Sequence, residues 1–246
     1  MALPGVFERV ITGHRAGPRD DDALALAGLL AADPSGVLTV TVESGAAATG
    51  LERAAREEGA DLIVLGTSRR GRVGQIMAGG VALRLLHGAP CAVAIAPAGV
   101  AEHGGDLAAI GVGYDGGAES DAALSLAARL ALAKRARLEV LAVASHGYTD
   151  ARLEVVPGQT RPAPATDDLE PLVAGAVEGL PDGLEVTATV VGGDPVEVLA
   201  ERSGELDLLV LGSRRHAPVT GVLLGSVASE LALEAGCALL VVPPPG

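Results

Sequence analysis

The residues in this sequence best placed to do chemistry are glycines, a serine and an aspartate, and the chemistry they suit is holding an anion. One loop runs Gly212-Ser-Arg-Arg-His-Ala-Pro-Val-Thr-Gly-Val-Leu-Leu-Gly225-Ser226-Val227, between a strand-like run and a helical one. Glycines let backbone N–H groups close on an anion, and a helix N-terminus adds its dipole and unpaired donors. The Ser226 hydroxyl suits either a phosphate oxygen or the cap of that helix. A second loop, Gly113-Tyr-Asp-Gly-Gly117, sets Asp115 between a strand and a helix, where a carboxylate also serves as a turn or helix cap.

Catalysis has no comparable support. His14, His87, His103, His146 and His216 share no spacing, and no Ser-His-Asp or Cys-His arrangement can be drawn. Glu52, Glu57 and Glu58 read as the solvated face of a helix. Cys91 and Cys237 lie far apart without a C-x-x-C neighbour, and each precedes an apolar run, so both read as small buried hydrophobes. The expectation is no catalytic residue, no metal site and no enzyme. Gly111-Val-Gly-Tyr-Asp-Gly116 does spell a dinucleotide fingerprint. Its first glycine falls inside the strand, however, and Asp115 stands where a pyrophosphate must approach. The acidic residue expected at the end of the second strand is also missing, since Glu139 lies near its start. A Walker loop is excluded, because the single lysine, Lys134, sits in a helix.

These loops need a frame, and the chain is long enough to build one. Its 246 residues are 49% hydrophobic but only 1% aromatic, so the core must be made of Val, Leu, Ile and Ala. A net charge of -13 repels phosphate backbones and anionic lipid, which argues against nucleic-acid or membrane partners. No apolar run reaches the roughly 18 residues of a spanning helix. Met1 to Arg9 lacks the layout of a signal peptide, and the cytoplasm is the expected location.

The chain contains an internal repeat. Asp61-Leu-Ile-Val-Leu-Gly66 matches Asp207-Leu-Leu-Val-Leu-Gly212, and the same spacing pairs Arg69 with Arg215, Gly79 with Gly225, and Cys91 with Cys237. The front halves match at a shorter spacing, with Leu24 on Leu124 and Ala27 on Ala127. The first copy therefore lacks a middle segment about one strand and one helix long. In the second copy, strands at 108–113, 138–143, 184–191, 208–211 and 238–242 alternate with helices at 119–135, 168–180, a helix opened by Asp194-Pro195, and 226–234. The stretch 145–167 reads as a surface loop. The first copy has one middle strand, Val37 to Glu43, and residues 98–106 read as a linker. Such alternation predicts a mostly parallel sheet covered on both faces, with ligands beyond the carboxyl ends of its strands.

On these residues the chain resembles the universal stress protein family. Ile110-Gly-Val-Gly-Tyr-Asp-Gly116 is similar to the family's first strand and acidic loop, and Gly193-Asp-Pro195 to its Gly-Asp-Pro turn. The long loop resembles the ATP motif of Gly, two residues, Gly, nine residues, then Gly with Ser or Thr. Here those positions hold Gly212, Arg215, Gly225 and Ser226, so arginine stands where the second glycine belongs, with Ala217 and Pro218 just beyond. The resemblance implies an α/β fold of two tandem adenine-nucleotide α-hydrolase-like units, residues 1–98 and 107–246. It implies Asp115 near a ribose, the backbone at Val143 near adenine, and Gly212, Gly225, Ser226 and Val227 around the phosphates. Arg215 then either meets a phosphate oxygen or fills the phosphate space. The ligand implied is ATP, with AMP or ADP also compatible, and magnesium only alongside ATP. The alternative is a member that has lost the nucleotide and acts through protein contacts.

The first copy departs further, with Gly66, Arg69, Gly79 and Gly80 at the motif positions and Arg15 at that of Asp115. Its missing segment is expected to include the strand that meets adenine, which makes it a structural partner. Pairing of Ala92–Ala96 with Ala238–Val242 would join the copies as an internal pseudo-dimer. A homodimer is also compatible with the resemblance.

Overall fold

The computed structural model describes residues 6–14, 18–41, 46–67, 76–103, 106–145, 166–213 and 227–243. Strand runs such as Leu62–Gly66 and Leu208–Gly212 are apolar at every position, because both faces of the sheet they enter are covered. The order is β1 (Val10–His14), α1 (Pro18–Leu30), β2 (Leu38–Thr41), α2 (Ala47–Glu58), β3 (Leu62–Gly66), α3 (Gly80–Gly88) and β4 (Ala92–Ala96). A short helix α4 (Val100–His103) follows. Then come β5 (Ala109–Gly113), α5 (Ala118–Lys134), β6 (Arg137–Ala144), α6 (Thr166–Glu178), β7 (Val186–Gly192), α7 (Pro195–Ser203), β8 (Leu208–Gly212), α8 (Val227–Glu234) and β9 (Ala238–Val242). The strands form one sheet in the order β2-β1-β3-β4-β9-β8-β5-β6-β7. Every pairing is parallel except β4 with β9, where Ala94 faces Leu240. The expected joint between the copies is thus made within one chain.

Side chains alternate between two cores. Leu62, Val64, Leu208 and Val210 point to the layer of α1, α5 and α6, and Ile63, Leu65, Leu209 and Leu211 to that of α2, α3, α7 and α8. Helix α5 buries Ala123, Leu124, Leu126, Ala127, Ala128, Leu130 and Ala131, because the helix lies across the middle of its half-sheet. It ends at Arg135, whose left-handed φ of 57° closes the last turn.

The linker carries a short helix, α4, and buried Asp22 of α1 accepts the N–H groups of Gly99 and Ala101. One expectation needs correction: the absent strand is not the one expected to meet adenine. Strand β2 pairs with β1 as β6 pairs with β5, so the strand that corresponds to the bearer of Val143 is present in shortened form. What the first copy lacks is the counterpart of α6 and of edge strand β7. Spacing reveals a deletion but not its place in the sheet. The 145–167 loop falls almost wholly outside the described residues, and α6 already begins at Thr166.

The repeated aspartates have a structural task that spacing alone does not show. Asp61 accepts the N–H groups of Glu8 at 2.8 Å and Arg9 at 3.0 Å. Asp207 accepts those of Ala108 and Ala109, both at 2.8 Å. Each carboxylate ties the start of one strand to its neighbour by charge-assisted bonds. They also lie near the cysteines. Burial, with Asp61 beside Cys91 and Asp207 beside Cys237, pushes both thiols up to about 12. Cys237 is buried as expected, but Cys91 is only half-buried. At pH 8 the native Cys237 thiol should therefore react with a disulfide reagent about 10³-fold more slowly than a free cysteine. Labelling in buffer against labelling in urea checks this; fast native labelling of Cys237 contradicts the burial.

Candidate functional site

In the second half the chain runs from β5 outward to β6 and β7, then returns to β8 on the other side of β5. The crevice between β5 and β8 is a topological switch point, where successive connections diverge and leave room above the carboxyl ends. Of the predicted site residues, Asp115 follows β5, Val143 lies near the end of β6, and Gly212 ends β8. The fold brings these three to one end of the sheet. Val227 opens α8. Arg215, Gly225 and Ser226 lie outside the described residues.

The loop after β5 is held by its own hydrogen bonds. The Tyr114 N–H donates to the Leu141 carbonyl at 2.8 Å, which keeps the loop against β6. Asp115 Oδ1 accepts the Gly117 N–H at 2.9 Å, closing an Asx turn, so the expected capping role is filled. Gly116 has φ +73°, and a Cβ there would crowd Leu172 of α6 at 3.2 Å. The buried Ser120 hydroxyl donates to the Gly117 carbonyl at 2.8 Å. Tyr114 donates its hydroxyl to Asp121 at 2.8 Å; its burial, then that bond, pushes the phenol up to about 12.

Gly212 has a packing reason to be glycine. A Cβ there would overlap the Glu119 carbonyl and lie 2.9 Å from the Glu119 Cβ, because the first turn of α5 rests on the end of β8. Ser213 N–H then donates to the Val242 carbonyl at 2.7 Å, fixing where the long loop departs. Val143 is half-buried and in register with Val191. Beyond β7, Asp194 Oδ1 accepts the N–H groups of Val196 at 2.8 Å and Glu197 at 3.2 Å, so the Gly-Asp-Pro turn is a helix start.

Helix α8 is anchored from the first half. The N–H of Ile76 donates to the Ala235 carbonyl at 2.9 Å and that of Ala78 to Ala232 at 2.8 Å, at the C-terminal end of α8. Ile76 is fully buried beside it. The sequence offered no signal for this contact, which spans the two copies. Among the described residues, no three His, Cys, Asp or Glu side chains gather to hold a metal, and no helix is long and apolar enough to cross a membrane.

A family model described as the universal stress protein family matches residues 8–97 and 108–243. A universal stress protein of Mycobacterium tuberculosis is 33% identical over 185 residues, covering 73% of this chain and 60% of the relative. Another from the same organism is 31% identical over 182 residues, 70% of this chain and 58% of the relative. The chain thus spans about three-fifths of the length of these relatives. Among solved structures, a universal stress protein from Archaeoglobus fulgidus superposes with TM-score 0.66 at 15% identity, over 98% of this chain and 97% of that one. One from Pseudomonas aeruginosa, given as a putative universal stress protein, superposes with TM-score 0.62 at 16% identity, over 96% and 82%. At those identities the likeness is one of fold.

Proposed function

Since the chain belongs to the universal stress protein family, we propose that it is a stress-response protein whose unit 107–246 binds an adenine nucleotide without turning it over. The reading is supported by one observation: Asp115, Val143 and Gly212, distant in sequence, all lie at the carboxyl ends of neighbouring strands of the second half-sheet. The residues there suit the nucleoside end. A carboxylate beside glycines can accept ribose hydroxyls, and backbone at a strand end can bond the edge of adenine. The phosphate end falls on 214–226, followed by the N-terminus of α8. ATP is the ligand proposed, with ADP or AMP compatible and magnesium accompanying ATP alone. Unit 1–98 acts as structural partner, and its Ile76–Gly79 segment holds the far end of α8.

A second reading, a member that works through protein contacts alone, is favoured by two details. Asp115 and Gly212 each have a structural task that needs no ligand. Native mass spectrometry of freshly purified protein, followed by ATP titration calorimetry on wild type and Gly225→Val, separates the readings. We expect co-purified adenine nucleotide, and at least about tenfold weaker binding in the variant, ~1.4 kcal/mol. No bound nucleotide and no heat at millimolar ATP would leave the protein-contact reading.

A further inference from the structure

Among the described residues, the first half carries an uncovered sheet edge whose counterpart in the second half is covered. Strand β2 (Leu38–Thr41) ends the sheet on one side. Its register fixes the comparison: Leu38 lies opposite Ile11 as Glu139 lies opposite Gly111. Glu139 is 3% exposed, because β7 runs parallel alongside it with Thr187 opposite Glu139 and Thr189 opposite Leu141. Leu38 is 43% exposed, and Thr39 and Thr41 are exposed too. A groove of about 540 Å³ runs between β2 and α2, floored by Val40, Gly50 and Ala54 and bounded by Arg53, Glu57 and Glu58. The edge carries no lysine, no proline and no bulge, and its shortness, four residues, is the one device that blunts it.

We propose that β2 is a docking edge for an extended segment of another protein, added as a parallel strand in the place β7 fills in the second half. The chemistry of the occupant follows from what it must cover. Main-chain groups along Leu38–Thr41 bond it, as in strand addition generally, and alternate side chains meet the groove. Those over Leu38 and Val40 are apolar and β-branched, because a leucine has replaced the charged residue of the second half. Its amino end is neutral or basic: α2 runs back against the strands, so Glu57 and Glu58 stand at the amino end of β2. Among the described residues, Arg53 pairs with Glu57 alone, at 3.9 Å. Another copy of this chain fits less well. It brings the same net charge of -13 and a second pair of these glutamates to the joint.

The test uses the full chain and a peptide of two lysines followed by the β7 sequence Val-Thr-Ala-Thr-Val-Val-Gly, with an order-scrambled control. At saturating peptide, hydrogen exchange of the outward amides in Leu38–Thr41 should slow by at least about tenfold. The scrambled peptide should leave them unchanged. Thr39→Pro, which removes an outward ladder donor, and Leu38→Lys, which charges the edge and is easily tolerated at an exposed position, should each abolish the protection. Unchanged exchange at millimolar peptide overturns the proposal. So does a dimer in sedimentation velocity that Leu38→Lys dissolves, since the edge then belongs to a second copy.

Discussion

Gly212→Ala is expected to cost about 3 kcal/mol of folding stability, far more than one added methyl group usually does. The new Cβ would lie within 2.5 Å of the Glu119 carbonyl carbon, and backbone cannot swing aside as a side-chain end can. Helix α5 is pinned to the sheet by buried Leu124, Leu126, Leu130 and the small residues between them, so its first turn resists retreat. Urea denaturation should show a lowered midpoint with an unchanged slope. Gly175→Ala supplies the contrast: that glycine lies within α6 with nothing inside 4 Å of a Cβ, so alanine should stabilise by about 0.5–1 kcal/mol. A Gly212→Ala protein within about 0.5 kcal/mol of wild type would mean that the start of α5 shifts freely. The expectation also governs how the nucleotide site is probed. A glycine that opens the phosphate motif in sequence is here also the seat of a helix, so loss of ATP binding in Gly212→Ala would report folding. Gly225→Val is the cleaner probe.

What the sequence disclosed follows from period and spacing. Strands buried on both faces leave continuous runs such as Leu208–Leu211, and Asp194-Pro195 announces α7 because cap and first turn are local chemistry. The antiparallel joint of β4 and β9 was legible too, because equivalent last strands in two copies present equivalent edges. The long-range contacts were not legible. That Asp61 and Asp207 bind the N–H groups of a neighbouring strand depends on which strands are adjacent, and their recurrence showed only that something requires them. The Glu119 carbonyl over Gly212 likewise belongs to packing, while glycine in a loop reads equally well as room for phosphate. Val143 and Asp115 could be ranked only through resemblance, since a half-buried valine at a strand end carries no chemical signature of its own.

The buried pair of Glu139 and Arg202 yields the second large effect, and the repeat says how it should resolve. Arg202 Nη2 lies 2.6 Å from Glu139 Oε1, Thr189 of β7 donates to the same oxygen at 3.3 Å, and Arg202 Nη1 reaches Glu205 at 2.9 Å. Among the described residues, Glu139 Oε2 and Arg202 Nε find no partner, so the network is only partly satisfied. Removing the cation alone leaves a carboxylate in a site 3% exposed, at a cost of several kcal/mol. Because 35% of the Arg202 side chain meets solvent, the expectation for Arg202→Leu is about 2–4 kcal/mol, the lower part of the range for buried pairs. The double variant Glu139→Leu/Arg202→Leu should recover most of that loss, since two apolar side chains then replace two desolvated charges. The first half already places Leu38 at the position of Glu139. Urea midpoints of the two single variants and the double close the cycle, and a double variant no more stable than Arg202→Leu would show that the pair holds β7 by geometry that leucine cannot copy. ATP calorimetry on the double variant adds a second reading. The pair sits at the amino end of β6, the far side of the sheet from Asp115 and Gly212, so nucleotide affinity should stay within about twofold wherever the protein is folded.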